Sequence, residues 1–356
     1  MVNLDKMLEL CRTRQWKIED LDWTVKPRPL SREEEIMIVQ FFTDMSGIER
    51  LAGALFAEQE RRAETPILRE IFASFVVDEE RHAIAAEKLA NHYNVHQYKT
   101  YELSKDLQKF RPHFLNAVRH VSPEIANAYI TAGELMLDIA LLRSLNDFVN
   151  DDMSHQVMDL INRDEARHVA MDYHMTEYYA SAAYQAKVRA EPSPSILDRA
   201  RASWYVGNMF YHARPFMMAV FLAPMEIVDP QGERLREAIK RMQLLTAKPD
   251  VAKRPLARFM NGVRTLHNTP VIGDLFGNVL SRIVGAPSEF LVNLYSEEEA
   301  QRARQMSMEQ LADEALAAKY TGAHHDDVPV KAATLGKSKG KAATERSSAN
   351  LGVSGA

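Results

Sequence analysis

The sequence contains a single cysteine, Cys11, among its 356 residues, so no disulfide can form within the chain. Structural disulfides belong mainly to secreted and periplasmic proteins, and their absence favours a reducing compartment. Residues 1–14 mix charged and apolar positions and lack the continuous apolar core of a signal peptide. We therefore expect a cytoplasmic protein.

An excess of basic residues is also missing. The chain has 44 Lys and Arg against 49 Asp and Glu, which gives a net charge of −5 at pH 7. The longest apolar run, residues 216–228, is interrupted by Pro224 and Glu226 and is too short to span a bilayer. We expect neither a nucleic-acid partner nor a membrane partner.

Alternating strand patterns do not occur in this sequence, whereas helix-start signals are frequent. Ser31 to Glu34 forms a capping box, and Thr65-Pro66 and Ser122-Pro123 each place a cap before a proline at the first helical position. The fold class is therefore predicted to be all-α. The predicted long helices span 32–62, 66–92, 123–150 and 151–183, with a crossover helix near 103–118.

Composition divides the chain into four parts. Trp16 and Trp23 are expected to anchor an N-terminal arm, and a Pro/Ser-rich linker, 191–195, precedes helices predicted near 196–221, 232–246, 252–267 and 297–319. The end of the chain is rich in Gly, Ser, Ala, Lys and Thr, which is typical of disorder. We predict an arm (1–30), a four-helix bundle (31–190), a C-terminal helical region (191–322) and a disordered tail (323–356).

One short motif occurs twice, as Asp78-Glu79-Glu80-Arg81-His82 and as Asp164-Glu165-Ala166-Arg167-His168. Residues three apart on a helix lie on the same face, so each Glu-x-x-His can direct a carboxylate and an imidazole to one point. A further glutamate precedes each copy: Glu49 lies 30 residues before Glu79, and Glu134 lies 31 residues before Glu165. The two halves therefore suggest an internal duplication.

This inventory of four carboxylates and two imidazoles is the one used by dimetal four-helix bundles. The predicted metal ligands are Glu49, Glu79, His82, Glu134, Glu165 and His168. The neighbouring helix faces are apolar, as Phe72, Phe75 and Ile161 indicate, so these groups would interrupt buried surfaces and need compensation. The alternative is a buried ion-pair network based on Arg81 and Arg167, which would not require histidine at the same place twice.

Across residues 31–183 the motifs resemble those of the ferritin-like non-haem diiron carboxylate proteins. The likeness is closest to bacterial monooxygenase hydroxylases and acyl-carrier-protein desaturases, and looser to arylamine N-oxygenases. It implies a ferritin-like bundle with two iron ions, or a Mn/Fe pair. It also implies dioxygen activation to oxidise a small organic or acyl substrate, with a ferredoxin or reductase as electron donor.

The resemblance also assigns roles beside the metals. Asp78 and Asp164 would each accept a hydrogen bond from the imidazole on the opposite helix, and Arg81 and Arg167 would neutralise these aspartates.

Three positions depart from relatives within this group. Ala86 stands where the ribonucleotide reductase subunit has a radical tyrosine, and Ile161 stands where the N-oxygenases have an extra histidine ligand. Asp138 replaces a threonine of the hydroxylases, one turn after Glu134. We predict that Asp138 relays protons; the alternative is an ion pair with Arg143 or with an arginine of the C-terminal region.

Two other functions stay open at this point. The first is a ferritin-like ferroxidase or metal store without an organic substrate, and the second is an inactive bundle that acts as a binding module. The C-terminal region, which includes an aromatic patch at residues 204–212, is expected to cover the bundle, to shape a substrate pocket or to form a homodimer contact.

Overall fold

The computed structural model describes residues 2–284 and 288–318, and the predicted tail, 323–356, lies outside them. Within these ranges the chain forms fourteen helices and no strand, which confirms the all-α prediction. Two short 3₁₀ turns, Ile18–Asp20 and Ser288–Leu291, are the other regular elements of the described residues.

Four long helices pack together as a bundle. They are α2 (Arg32–Arg62), α3 (Pro66–Tyr93), α5 (Pro123–Val149) and α6 (Asp152–Ala180). Each begins at a side-chain cap: Ser31, Thr65, Ser122 and Asp151 accept backbone hydrogen bonds from the first turn of their helices. The predicted starts of these helices therefore agree with the structure to within about one residue.

Short connections join the bundle helices in pairs. α2 packs on α3, α5 packs on α6, and the two pairs then pack on each other. The longer segment between α3 and α5, 94–122, contains α4 (Lys105–Val118), which lies against α2. This order leaves one long crossover between two helical hairpins.

Helix α5 is interrupted by a wider π-helical stretch, Met136–Leu142, between the regular segments Pro123–Leu135 and Arg143–Val149. Backbone hydrogen bonds of a π turn reach five residues, so the side chains of this stretch are rotated relative to a regular helix. Among the described residues, α5 alone is long and apolar enough to cross a membrane, and 72% of its most apolar stretch is buried inside the protein.

The N-terminal arm contains α1 (Leu4–Thr13), which packs on α3. Trp16 is only 7% exposed and lies in the main core. Trp23 is partly buried against the same core, and its indole N–H donates to the carbonyl of Ile18 at 2.8 Å. Both tryptophans therefore anchor the arm, as predicted.

In the described residues, eight further helices follow the bundle helices, one before residue 191 and seven in the C-terminal region. They are α7 (Ala182–Ala190), α8 (Ile196–Phe216, π-helical Met217–Leu222 and Ala223–Val228), α9 (Glu233–Thr246), α10 (Pro249–Ala252), α11 (Pro255–His267), α12 (Ile272–Val284), α13 (Glu297–Gln305) and α14 (Met308–Ala318). α9 packs on the π-helical stretch of α5, and α14 packs on α6. One hydrophobic core contains residues from the arm, the bundle and this region.

Two helix predictions after residue 150 were wrong in detail, and one helix was missed. The helix predicted at 151–183 ends at Ala180, because Ser181 caps the separate helix α7. The helix predicted at 297–319 is broken after Gln305, where Ser307 and Gln310 begin a new turn through reciprocal hydrogen bonds. Helix α12 was not predicted.

Candidate metal centre

Six side chains from the four bundle helices converge in the interior. α2 supplies Glu49 and α5 supplies Glu134, while α3 and α6 each supply a Glu-x-x-His pair. None of the six is more than 2% exposed. They are the six predicted ligands: Glu49, Glu79, His82, Glu134, Glu165 and His168.

Their ligand atoms form two overlapping groups. Glu49 and His82 form the first group with Glu79 and Glu165, and Glu134 and His168 form the second with the same two glutamates. Within each group the four ligand atoms lie within 4.8 Å of one another. The arrangement is therefore two adjacent sites that share Glu79 and Glu165, one from each Glu-x-x-His motif.

Both imidazole rings direct Nδ1 toward the carboxylates. His82 Nδ1 lies 3.0 Å from Glu165 Oε1, and His168 Nδ1 lies 3.0 Å from Glu79 Oε1 and 2.9 Å from Glu165 Oε2. The other ring nitrogen faces an aspartate of the opposite helix: His82 Nε2 is 3.3 Å from Asp164 Oδ2, and His168 Nε2 is 3.5 Å from Asp78 Oδ2. A neutral ring that donates from Nε2 keeps the Nδ1 lone pair for a metal.

Two arginines contact the aspartates that face the imidazoles. Arg167 Nη2 lies 2.8 Å from Asp78 Oδ2 and 3.0 Å from Asp164 Oδ1. Arg81 Nη2 lies 3.0 Å from Asp164 Oδ2 and also contacts Asp78. Each aspartate is thus shared between both arginines and one imidazole, and the cross-helix contacts expected from the motifs are present.

Two residues of the arm, which the sequence motifs did not indicate, also contact these aspartates. Trp16 donates its indole N–H to Asp164 Oδ2 at 2.7 Å, and Gln15 Nε2 lies 3.3 Å from Asp78 Oδ1. The Arg81 guanidinium carbon lies 5.1 Å from the centre of the Trp16 ring. The burial of Trp16 was predicted, but its partner lies 148 positions away and no local pattern indicates it.

Phenylalanine rings surround the second site. Phe75 packs on His168 with ring centres 4.3 Å apart, and Phe56 meets the same ring edge-on at 5.0 Å. Both phenylalanines are fully buried. This apolar contact fixes the orientation of the imidazole and keeps water from its faces.

The charges of the centre are strongly coupled. Burial, together with the charge of Glu165, raises the pKa of Glu49 to about 7 and that of Glu79 well above its usual range. Burial alone would also raise the pKa of Glu165, but the adjacent His168 and His82 hold it well below. Without a metal, burial therefore favours the protonated form of Glu79.

The imidazoles show the complementary shift. Burial alone would lower the pKa of both rings, but hydrogen bonds and nearby negative charges raise it by more than burial lowers it. Asp164 and Glu165 raise the pKa of His82 to about 10, and Glu165 and Asp78 raise that of His168 to about 9.

The donor set fits two divalent cations. Both carboxylate oxygens of Glu49 and Oε2 of Glu79 receive no hydrogen bond from the described residues. Buried polar atoms without partners are costly, and metal ligation satisfies them. Four carboxylates also balance the charge of two divalent ions.

A further buried acid, Asp172, lies beside the second site and was not predicted. It is fully buried, it follows His168 by one turn, and neither carboxylate oxygen has a hydrogen-bond partner among the described residues. Burial raises its pKa well above the usual range, and its charge contributes to the raised pKa of Glu134. Asp172 follows His168 by four residues, and this helical spacing is the signal in the sequence that was overlooked.

Asp138 lies in the π-helical stretch and is 1% exposed. Arg143, named above as an alternative partner, has its Nε 3.7 Å from Asp147 Oδ1. The relay role of Asp138 stays a prediction.

Comparison with protein-family models, with curated proteins and with solved structures finds no match to this chain. The resemblance described above therefore depends on the motifs and on the geometry of the site.

We predict two metal ions per chain. Glu79→Ala and Glu165→Ala should both lose this stoichiometry, because each removes a carboxylate shared by the two sites. The measurement is metal analysis after anaerobic Fe(II) loading and desalting, with circular dichroism as a test of folding. Glu80→Ala is the matched control, since Glu80 lies in the same motif with a side chain 55% exposed. Two tightly held irons in both shared-glutamate variants would disprove the ligand assignment.

Metal binding should release protons, because ligands bind metals in their deprotonated forms. The raised pKa values of His82, His168 and Glu79 mean that these groups hold protons at pH 7 without metal. We expect release of at least about two protons per chain with Mn(II), and fewer at pH 8 than at pH 6, because Glu49 deprotonates near pH 7. Calorimetry in buffers of different ionisation enthalpy measures this number. Proton uptake, or release that grows with pH, would contradict the coupled cluster.

Proposed function

We propose that this protein is a non-haem diiron oxidoreductase that uses dioxygen to oxidise a small organic or acyl substrate, by hydroxylation, desaturation or N-oxidation. A Mn/Fe pair is the alternative metal content, and a ferredoxin or reductase would supply electrons. The observation that carries the proposal is the pair of buried ligand groups that share Glu79 and Glu165.

The donor types favour iron or manganese. Carboxylate oxygen is a hard ligand that suits the oxidised ions, and imidazole suits iron. When bound, the metal pair would supply the redox equivalents and open coordination positions needed to reduce dioxygen. Structural zinc sites are mostly built from cysteine and histidine, and the one cysteine of this chain, Cys11, is not among the ligands.

A ferritin-like arrangement is supported by the order of the elements. The hairpin of α2 and α3 provides one lone glutamate and one Glu-x-x-His, and the hairpin of α5 and α6 provides the same set after a long crossover. The di-iron and di-manganese bundles use this distribution of ligands over four helices.

The residues around the ligands have separable tasks in this proposal. Asp78 and Asp164 hold the Nε2 side of the imidazoles, so that Nδ1 faces the centre. Arg81 and Arg167 neutralise these aspartates, and the phenylalanines around His168 exclude water. Such supporting contacts typically account for about 10–100-fold in metal affinity or activity.

The surroundings of Glu134 favour an enzyme over a metal store. The π-helical stretch begins two residues after Glu134, and single π turns in α-helices occur frequently at functional sites. α9 and α14 then cover the two helices that carry Glu134, Glu165 and His168. A bundle that only stores iron does not need this cover.

The first test is a reaction of the anaerobically Fe(II)-loaded protein with dioxygen in the presence of arylamines, fatty acyl thioesters and small aromatic compounds. We expect oxygen consumption with mass gain or loss in one substrate class, and no reaction with Glu79→Ala. Glu80→Ala should behave as the unchanged protein. If iron is oxidised and accumulates as a mineral while every organic compound stays intact, the protein is a ferroxidase and the proposal is wrong.

A second test concerns the source of protons, which dioxygen reduction consumes. Asp138→Asn keeps the shape of the side chain and removes the acid, and we expect product formed per oxygen consumed to fall about tenfold or more. Asp172→Asn makes the same change at the buried acid beside the second site. If Asp138→Asn leaves this ratio unchanged across the pH range, or only Asp172→Asn lowers it, Asp138 is not the relay.

A further inference from the structure

Helix α8 exposes an apolar row that the other described residues leave uncovered. Leu197, Trp204, Tyr211 and Met218 are 78%, 70%, 78% and 39% exposed. They are spaced by seven residues, and seven residues are close to two helical turns, so the row follows one side of the helix. Exposed apolar rows of this length are typical of interaction surfaces.

The row is separate from the face that α8 uses in its own fold. That face packs on α4, where ring stacks join Tyr205 to His120 at 4.6 Å and Phe216 to Phe110 at 4.4 Å. Buried Met209 and Ala213 belong to the same inner face. The outer row is therefore not required for the packing of α8 on the body.

Gly207 lies at the middle of the row, between Trp204 and Tyr211. It is exposed, and a Cβ added there would meet no atom within 4 Å. Among the residues that the structure describes, nothing requires a small residue at this position. A glycine on an exposed helix face destabilises the helix relative to alanine, and it lets a second backbone approach closely.

The row also has the same chemical order in both directions. From either end it presents an aliphatic residue, an aromatic residue, the glycine, an aromatic residue and an aliphatic residue. A two-fold interface must be self-complementary, because the same patch contacts its own copy. The heptad spacing further indicates a helix as the occupant, since this period keeps two packed helices in contact.

We propose that α8 is a homodimer interface, in which it packs antiparallel on α8 of a second copy with the two-fold axis at Gly207–Asn208. This arrangement places Leu197 opposite the partner's Met218 and Trp204 opposite the partner's Tyr211. The same register places Arg201 opposite the partner's Arg214 at the rim, where both long side chains extend into water. The proposal is independent of the metal centre.

Cysteine cross-linking tests the arrangement in the full chain. Cys11 is buried and is the single native cysteine, so background from it is low. Gly207→Cys lies at the axis and should give a disulfide-linked dimer under mild oxidation. Ala200→Cys lies on the same exposed face, but in an antiparallel pair its copy is roughly 22 Å away along the axis, so it should stay uncross-linked.

Sedimentation measures the strength of the interface. The unchanged chain should be a dimer, and Trp204→Glu should raise the dissociation constant about 30-fold or more, as expected for an interface tryptophan. Leu275→Glu is the matched control on α12, where the leucine is 68% exposed but outside the row. A monomeric protein without cross-links, cross-linking of both cysteine variants, or a dimer insensitive to Trp204→Glu would each overturn the proposal.

Discussion

The structure depends on the burial of four glutamates in an apolar helical bundle. Each carboxylate loses its hydration, and an unpaired buried charge costs several kcal/mol. Two imidazoles compensate part of this cost, and their raised pKa values show how strongly the cluster holds protons. The aspartates, the arginines and the residues of the arm then fix the imidazoles, so that the remaining compensation is left to metal ions.

The two halves are alike at the ligands and different around them. Asp164 receives the indole N–H of Trp16, whereas the corresponding Asp78 contacts Gln15. Helix α2 continues regularly past Glu49, whereas α5 changes to a π-helical stretch soon after Glu134. Asp172 adds a further acid beside the second site. The two halves of the cluster are therefore chemically distinct.

Much of this centre followed from the sequence, because helical spacing alone puts Glu79 with His82 and Glu165 with His168 on common faces. The duplicated flanks also predicted the contacts of Asp78 and Asp164 with the opposite imidazoles. The grouping of Glu49 with His82 and the contact of Trp16 with Asp164 depend on how helices pack, which no local pattern encodes. The π-helical stretch was missed for a related reason: its Leu-rich sequence is equally suited to a regular helix.

The most direct test of the dimetal centre is anomalous X-ray scattering at the iron edge from crystals prepared anaerobically with Fe(II). The account predicts two peaks inside the bundle, one beside Nδ1 of His82 with Glu49 and one beside Nδ1 of His168 with Glu134, with Glu79 and Glu165 contacting both. A single peak, or iron bound elsewhere on the chain while these six residues stay free of metal, would contradict it.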